Sequence, residues 1–457
     1  VNIERSQYFC YYFKMSEVIT RFAPSPTGHF HIGGVRSALY NYLYARSMGG
    51  KFILRSEDTD PERSKKEYED EFLAVFKWLG LEHDEFFRQS DRKEIYKKYL
   101  EDLIARDVAY ISKETPTEEG QRAEVIRLRN PGKKVTFEDI ILGEITFDTT
   151  DLGDFIIARD IESPLYHFTV VVDDMEMKIT HVIRGQEHIS NTPRQILIQE
   201  AIGASRPLYA HIPLILGKDK SKLSKRDPEV IPAIEYKDQG YLPEAILNFM
   251  ALIGWNPGTD EEVFTKDALI GQFKLDRVQK GGGVFNIEKL NWINKEHLKK
   301  LTEQQIGDYV KKFIPVDFAE KNSQYLEKII PVIFERISNG IEIKELIEAS
   351  EFAFLSPEIS LQKDVLNWNA KQDSLVTALH LKALIELLQN IDDFNVDLIK
   401  STVMQYADTQ EKRGAVLHPM RYALSGQDRS PDPFTIASIL GKEETIIRLE
   451  NALKILD

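Results

Sequence analysis

Cysteine is almost missing from this sequence, since Cys10 is the only one among 457 residues. A single thiol excludes an internal disulfide and a zinc site built from several cysteines, and it suits a reducing compartment. Long apolar runs are missing as well, because none approaches the roughly 18 residues that span a bilayer. The first residues also lack the basic and apolar stretches of a secretory signal. We therefore expect a cytoplasmic protein without membrane segments.

Positive charge is in the minority, because 59 Lys and Arg face 73 Asp and Glu, for a formal net charge of −14. This balance argues against indiscriminate nucleic-acid binding, although a local basic face would still allow an RNA partner. Hydrophobic residues at 42% and charged residues at 29% are typical of a globular protein. The length exceeds what one hydrophobic core serves, so we expect roughly two to four domains.

Two familiar nucleotide motifs are absent. Neither the Gly-x-x-x-x-Gly-Lys-Ser/Thr P-loop nor the Gly-x-Gly-x-x-Gly fingerprint occurs, which argues against a P-loop enzyme and a dinucleotide-dependent dehydrogenase. Instead, a Pro- and Gly-rich turn at 23–28 precedes His31, Gly33 and Gly34 at a predicted helix start. Unpaired N–H groups and the helix dipole attract phosphate there, and glycine lets it approach the backbone. A structural histidine in a turn is the alternative.

A basic loop follows the last predicted strand of the same sheet. Residues 218–226 carry five basic side chains in nine positions. An ordinary solvated loop is one interpretation. The other is a mobile clamp, in which Lys222 and Lys225 neutralise charge that builds on a triphosphate during nucleotidyl transfer.

The patterning predicts α/β structure first and helices later. Strands at 18–22 and 52–55 flank the glycine-bearing turn and a helix, which is the start of a parallel sheet. Ser64, with Glu67 three residues later, predicts a capping box on the next helix. Short alternating segments between 91 and 165 indicate an α+β insertion. From about 301 onward amphipathic helices are predicted, with apolar positions at Ile329, Ile330, Ile333, Ile337 and at Leu375, Leu379, Leu384, Leu388.

Taken together, several ordered motifs resemble those of class I glutamyl-tRNA synthetases of the bacterial type. The motifs are Arg21-Phe-Ala-Pro-Ser-Pro-Thr-Gly28, His31-Ile-Gly33, Glu57-Asp-Thr-Asp60, Tyr166-His-Phe, Val182-Ile-Arg184, Lys222-Leu-Ser-Lys-Arg226 and Leu290-Asn-Trp292. The resemblance runs from about residue 18 to the C-terminus. It implies a Rossmann-like α/β catalytic domain with an α+β insertion, followed by a helical stem-contact domain and an all-α anticodon-binding domain.

The resemblance also implies domain boundaries. The catalytic domain would comprise 15–90 and 166–225, with 91–165 as the inserted acceptor-binding domain. Residues 226–300 would form the helical stem-contact domain and 301–457 the helical anticodon-binding domain. We expect 1–14 to be a non-native or flexible extension with Met15 as the native start; a short docking strand is the alternative.

The implied reaction is the ATP-dependent ligation of L-glutamate to the 3′ end of tRNA(Glu) through a glutamyl adenylate. ATP would bring its own Mg²⁺, and no zinc is expected. The enzyme would be a cytoplasmic monomer without a membrane partner. Whether tRNA(Gln) is charged as well is open, and Arg336 is a candidate determinant of that choice.

The resemblance assigns roles to individual residues. Those expected to bind glutamate are Arg21, Ser25, Glu57, Tyr166 and Arg184. Those expected to bind ATP are His31, Gly33, Gly34, Glu187, Lys222 and Lys225, with His31 and Lys225 as the catalytic pair. No resident metal is expected, because Asp58 and Asp60 are predicted to brace loops. Ordinary surface salt bridges are the alternative for the two arginines.

Four other classes of protein share part of this pattern. A glutaminyl-tRNA synthetase would share the catalytic motifs but normally has a β-barrel anticodon region. A shortened paralogue that modifies a tRNA base would lack the C-terminal helices. A small-molecule nucleotidylyltransferase would not need over two hundred residues after Arg226. An inactive RNA-binding paralogue is the last, and pyrophosphate exchange dependent on glutamate and tRNA separates it from an enzyme.

Overall fold

The structure is a computed structural model that describes residues 17–114, 123–223, 231–368, 373–427 and 430–456. The predicted extension at 1–14 and the predicted catalytic Lys225 lie outside these ranges. The chain divides into two compact units, residues 1–299 and 300–457. Within the described ranges, no helix has the length and apolar character needed to cross a lipid bilayer.

The first unit contains both strands and helices. Its strands are β1 (Ile19–Phe22), β2 (Lys51–Ser56), β3 (Glu85–Arg88), β4 (Ala109–Lys113), β5 (Glu124–Leu128), β6 (Lys134–Asp139), β7 (Gly143–Asp148), β8 (Phe155–Ala158), β9 (His181–Gly185), β10 (Leu208–Ile212), β11 (Ile215–Leu216) and β12 (Gly283–Val284). Its α-helices are α1 (Ile32–Ser47), α2 (Lys66–Leu79), α3 (Lys93–Ala105), α4 (Tyr166–Glu176), α5 (Thr192–Ile202), α6 (Ala233–Asp238), α7 (Pro243–Leu252), α8 (Lys266–Gln272) and α9 (Ile287–Leu298).

A seven-stranded sheet forms the centre of this unit, in the order β3-β2-β1-β9-β10-β6-β7. All neighbouring pairs are parallel except the hairpin β6–β7. Alternate residues of β2 enter two different cores: Phe52 and Leu54 lie in one, and Ile53 lies in the other. Because both faces of the sheet are covered, its central strands are buried almost throughout, including their polar residues. The Rossmann-like α/β fold predicted from the sequence is confirmed.

The segment predicted as one α+β insertion contributes to two sheets. β4, β5 and β8 form a separate three-stranded sheet. The hairpin β6–β7 instead extends the main sheet, where Asp139 pairs in register with Tyr209 of β10. Burial alternates along β6. One face packs on the same core as β10, through Val135 and Phe137, while the other face is exposed to solvent. Part of the segment 91–165 thus belongs to the main sheet, and its assignment as an inserted acceptor-binding domain stays a prediction.

The second unit is helical in its described parts. Its α-helices are α10 (Glu303–Phe313), α11 (Val316–Lys321), α12 (Leu326–Arg336), α13 (Ile341–Glu348), α14 (Lys363–Leu366), α15 (Ser374–Gln389), α16 (Val396–Ala407), α17 (Gly414–Ser425), α18 (Pro433–Leu440) and α19 (Lys442–Leu456). The apolar stripe predicted on α12 is buried, and the predicted all-α character is confirmed.

The apolar stripe predicted on α15 is wrong in its first half. Leu375 and Leu379 are 72% and 65% exposed, whereas Leu384 and Leu388 are buried. Nine residues separate Leu375 from Leu384, and at about 100° per residue they point to opposite sides of the helix. The buried face is continued toward the N-terminus by Leu381 instead.

Candidate active site

A cavity of about 750 Å³ opens at the carboxyl ends of three neighbouring parallel strands, β2, β1 and β9. Ligands bind at this edge in open parallel sheets. All predicted site residues within the described ranges line this cavity: Arg21, Ser25, His31, Gly33, Gly34, Glu57, Tyr166, Arg184, Glu187 and Lys222. The sheet thus brings together residues that are far apart in sequence, and Lys225 alone of the predicted set lies outside the described residues.

The N-terminus of α1 forms one wall of the cavity. His31 is the N-cap residue, and Gly33 donates its backbone N–H to His31 Nδ1 at 3.2 Å. Because Nδ1 accepts, the proton of the neutral ring resides on Nε2, which gives the cavity a hydrogen-bond donor. A Cβ atom at Gly34 would collide with the Phe30 ring, so this position requires glycine. The helix dipole adds positive potential here, which suits an anion.

A buried cluster of arginines and carboxylates lies beside Arg21. The Arg21 Nε atom is 3.1 Å from Asp174 Oδ1, and Arg55 Nη1 donates to the same oxygen at 2.8 Å. Arg55 Nη2 also donates to Glu57 Oε1 at 3.1 Å. Burial lowers the pKa of Arg55, but the carboxylates of Asp174, Glu57 and Asp173 raise it by a larger amount. The pKa is therefore raised overall, and the guanidinium stays charged. The cluster fixes Arg21 and Glu57 relative to each other.

Glu57 and Tyr166 form the polar wall next to this cluster. Burial raises the pKa of the Glu57 carboxyl above its usual value, and the neighbouring Arg55 opposes that rise. Burial and, after it, the charge of Glu57 raise the pKa of Tyr166 to about 12. Tyr166 is therefore a neutral phenol at physiological pH, able to donate one hydrogen bond.

Arg184 differs from the other two arginines because it forms no ion pair with any described carboxylate. Its Nε donates to His211 Nε2 at 3.2 Å, and its Nη2 donates to Thr192 Oγ1 at 2.9 Å. The side chain is buried, and burial lowers its pKa. A buried cation whose hydrogen-bond partners are neutral is costly unless a counter-ion arrives. Arg184 is therefore suited to bind an anionic ligand.

The remaining predicted residues lie at the rim or in the turn. Ser25 belongs to the turn between β1 and α1, where Glu57 donates its backbone N–H to the Pro24 carbonyl at 2.9 Å. Lys222 is exposed and forms a bridge with Leu216 of β11. Glu187 lies after β9, and a Cβ atom at Gly185 would collide with its carboxylate. Gly185 is thus a cavity residue that the sequence analysis missed.

The acidic run after β2 braces loops, as predicted. Asp58 accepts hydrogen bonds from the Ser90 backbone N–H at 2.8 Å and from the Ser90 hydroxyl at 2.6 Å. Asp60 accepts from Arg63 Nε at 2.7 Å. Over the described part of the chain, no group of three or more His, Cys, Asp or Glu side chains is arranged to hold a metal ion.

Several polar residues of the cavity and its surroundings were missed from the sequence. Arg36 and His188 line the cavity, and Arg55, Asp174 and His211 lie directly behind it. A usable signal existed for Arg55 and His211, since each is a polar residue that follows apolar residues within a strand. Such a residue must find a buried partner, and here the partners belong to the site.

Arg336, the candidate determinant of tRNA choice, lies in the second unit. It is the last residue of α12 and forms an ion pair with Glu351. The pair is partly exposed, and no described contact bears on tRNA recognition.

Comparison with known protein families assigns both parts of the chain. The model of the catalytic domain of class I tRNA synthetases (E and Q) matches residues 17–124 and 113–292. A model named anticodon binding domain matches residues 297–453. The fold and the cavity thus belong to a class I tRNA synthetase.

Individual relatives narrow the class. The chain is 38% identical to glutamate–tRNA ligase 1 of Caldicellulosiruptor saccharolyticus, with 95% of this chain and 98% of that protein covered. It is 37% identical to the glutamate–tRNA ligase of Bacillus subtilis, covering 95% and 99%. Among solved structures, a glutamate tRNA ligase from Elizabethkingia meningosepticum in complex with its amino acid aligns with a TM-score of 0.84 at 31% identity, covering 97% of this chain and 100% of that chain. The chain belongs to the glutamate–tRNA ligase family, and the predicted family and enzyme class are confirmed.

Proposed function

We propose that this enzyme ligates L-glutamate to the 3′ end of tRNA(Glu) at the expense of ATP, with the cavity at the carboxyl ends of β2, β1 and β9 as its active site. The assignment of the site rests on one observation: a buried positive charge and a buried negative charge line the same cavity. Arg184 presents a buried guanidinium that forms no ion pair with a described carboxylate, and Glu57 presents a buried carboxylate. Free glutamate carries two carboxylates and one ammonium group, which is the complementary set.

Each end of the amino acid has a chemically matched group. Arg184 and Arg21 bind carboxylates of glutamate, because the guanidinium fork matches carboxylate geometry. Arg21 already shares Asp174 with Arg55, so Arg184 has the greater charge deficit and contributes more to affinity. Glu57 takes the α-ammonium group, while Tyr166 and Ser25 complete the pocket with neutral hydroxyls.

The nucleotide binds at the N-terminus of α1. His31 donates from Nε2 to a phosphate oxygen, and Gly33 and Gly34 allow the phosphates to approach the backbone. Glu187 lines the same cavity and is assigned to the nucleotide. Lys222 lines the cavity. Lys225, three residues later in the sequence, is proposed as the principal catalytic lysine. Mg²⁺ arrives bound to ATP.

The reaction proceeds in two steps. The α-carboxylate of glutamate attacks the α-phosphorus of ATP, so that a C–O–P bond forms while the bond to the departing pyrophosphate breaks. A ribose hydroxyl of the terminal adenosine of tRNA then attacks the carbonyl carbon of the adenylate and loses its proton. An ester bond forms while the bond from that carbon to the phosphate oxygen breaks, and AMP leaves. Throughout, the protein positions the reactants and stabilises charge rather than forming a covalent intermediate.

The RNA partner is tRNA(Glu), with the helical second unit as the anticodon-binding part. Charging of tRNA(Gln) is the open specificity question, and Arg336 is the residue whose exchange would address it. Charging of both purified tRNAs by the unmodified enzyme and by Arg336→Ala distinguishes the two specificities. If that variant keeps the same ratio of charging rates, Arg336 does not determine the choice.

Glutamate-dependent pyrophosphate exchange in the presence of tRNA(Glu) tests the proposed chemistry. Lys225→Ala should lower exchange about 100-fold to 1,000-fold, in the range seen when a donor that stabilises developing charge is removed. Binding of tRNA should stay nearly unchanged. Lys237→Ala is the matched control, since Lys237 is exposed on α6 and does not line the cavity. Normal exchange by the Lys225 variant would refute the clamp, and no exchange by the unmodified enzyme would favour an RNA-binding paralogue.

A further inference from the structure

A buried histidine and aspartate lie directly behind Arg184. His211 and Asp139 have fully buried side chains, and the Nδ1 atom of His211 is 2.7 Å from Asp139 Oδ2. The backbone N–H of His211 donates to the same oxygen at 3.0 Å. The other oxygen, Oδ1, accepts from the backbone N–H groups of Ile141 and Leu142 at 3.0 and 2.9 Å. Asp139 is thus an acceptor on both oxygens, held rigidly by the end of β6.

This arrangement sets the tautomer of His211. A carboxylate beside Nδ1 requires the proton there, so Nε2 carries a lone pair and accepts from Arg184 Nε. His211 and Arg184 are also register partners on β10 and β9, which places the imidazole beside the guanidinium through the sheet itself. The direction of donation is therefore continuous, from Arg184 through His211 to Asp139.

The same bonds determine which edge of the guanidinium faces a ligand. Arg184 has five N–H groups. The Nε group is used by His211, and one Nη2 group is used by Thr192. A carboxylate can then approach in bidentate fashion through the Nη1 and Nη2 edge. Without the acceptor on His211, the guanidinium could rotate and present a different edge.

We propose that His211 and Asp139 are positioning residues that hold the Arg184 guanidinium in its substrate-binding orientation. This inference rests on the proposed function, because it assumes that Arg184 binds a carboxylate of glutamate. It also gives the hairpin β6–β7 a part in amino-acid recognition, since Asp139 is the last residue of β6. No contact of His211 or Asp139 with substrate is involved.

The charged groups around His211 are consistent with this role. Asp139 faces it from β6 and Arg184 from β9, while Glu187 and His188 act on it from the segment after β9. Burial lowers the pKa of His211, and the hydrogen bond to Asp139 opposes that decrease. The ring is therefore neutral at physiological pH, and its Nε2 atom can accept. Protonation would place two donors, Nε2–H and the Arg184 Nε–H, against each other.

A double-mutant cycle tests the proposal on the full-length enzyme, with kcat/KM for glutamate as the readout. His211→Leu should lower kcat/KM about tenfold, because one hydrogen bond to a charged group is lost. His211→Gln should lower it less, since its Oε1 can still accept from Arg184. The KM for ATP should stay within about twofold in both variants. With Arg184→Ala already present, His211→Leu should cause no further decrease, because nothing is left to position.

Two further variants keep the test decisive. Asp139→Asn preserves the side-chain volume, so it tests the proposal even if His211→Leu fails to fold. It should lower kcat/KM for glutamate about threefold in the otherwise unmodified enzyme, and not at all when Arg184→Ala is also present. His181→Leu is the matched control, because His181 is buried on β9 and lies outside the cavity lining. Equal losses with and without Arg184 would overturn the positioning role. If Arg184→Ala alone leaves kcat/KM unchanged, the proposed substrate role of Arg184 has failed, and the positioning role with it.

Discussion

The two units use buried charge in different ways. In the first unit, Arg21, Arg55, Glu57 and Arg184 are buried around a cavity, and Arg184 forms no ion pair there with a described carboxylate. In the second unit, Arg448 is 3% exposed and donates to three backbone carbonyl oxygens at 2.7 to 2.8 Å. It also pairs with Glu444 one turn earlier on α19.

The difference separates a binding group from a structural one. A buried guanidinium with fixed acceptors for nearly all of its donors stabilises the fold and has little capacity for a ligand. A buried guanidinium with donors directed into a cavity carries a cost that a ligand can offset. Arg448 therefore belongs to the packing of α19, whereas Arg184 belongs to substrate binding.

The largest expected effect is the loss of glutamate recognition in Arg184→Ala. Two charge-assisted hydrogen bonds would disappear, at about 1.5 to 3 kcal/mol each, so kcat/KM for glutamate should fall about 1,000-fold. The KM for ATP should change little. Steady-state exchange kinetics with varied glutamate and varied ATP measure both values. Arg206→Ala serves as control, since that arginine pairs with Glu200 outside this cavity; equal effects on both substrates would remove Arg184 from the glutamate site.

Arg448→Met is expected to lower stability and to leave glutamate recognition unchanged. The three carbonyl groups would lose their donor, so the second unit should lose about 3 kcal/mol of stability. The KM of the Arg448→Met variant for glutamate should match that of the unmodified enzyme. Urea unfolding followed by circular dichroism gives the first quantity and exchange kinetics the second. Arg413→Met, which removes an exposed ion pair with Asp408, should cost less than about 1 kcal/mol. A raised KM for glutamate in the Arg448→Met variant would contradict the assignment of Arg448 as a purely structural arginine.

Arg55→Lys tests the buried cluster through pH. Glu57 must be ionised to bind the ammonium group, so glutamate affinity decreases as pH falls through the pKa of Glu57. Burial raises that pKa and Arg55 opposes the rise, so weakening the Arg55 contact should move the acid limb of kcat/KM to higher pH. The decrease in kcat/KM should be largest at acidic pH and should shrink as the pH rises, because Glu57 ionises in both enzymes at high pH.

The control for that profile is Arg46→Lys, because Arg46 pairs with Asp84 away from the cavity. Its acid limb should coincide with that of the unmodified enzyme. A uniform loss at every pH in Arg55→Lys would indicate a purely structural arginine, because only a change in the protonation of Glu57 depends on pH.

The sequence predicted those features that depend on local order along the chain. The turn at 23–28, α1 and β2 follow from glycine and proline positions together with apolar periodicity, and His31 does lie at a helix N-terminus. The likeness of ordered motifs then predicted which side chains share the cavity. Their individual roles stay predictions, since geometry places them together without a bound substrate.

Features that depend on distant pairing were not predictable in this way. The capping box at Ser64 is wrong: Lys65 is the N-cap of α2, and the buried Ser64 hydroxyl makes no hydrogen bond to the described residues. Main-chain hydrogen bonds determine the backbone conformation before α2. The backbone N–H of Ser64 donates to the Asp60 carbonyl, and that of Lys65 donates to the Pro26 carbonyl. Asp139 reaches His211 only because β6 pairs with β10, and nothing local in β6 specifies that partner.

The smallest expected effect concerns Tyr166, a neutral group among the charged ones. Because its pKa is raised to about 12, the hydroxyl contributes a neutral hydrogen bond of about 0.5 to 1.5 kcal/mol. Tyr166→Phe should therefore lower kcat/KM for glutamate only about threefold, with the same factor from pH 6 to pH 9. Tyr99→Phe, which removes a hydroxyl bonded to Glu176 outside this cavity, should have no effect. A loss as large as that of Arg184→Ala would mean that hydroxyl contacts contribute as much to glutamate recognition as buried charge.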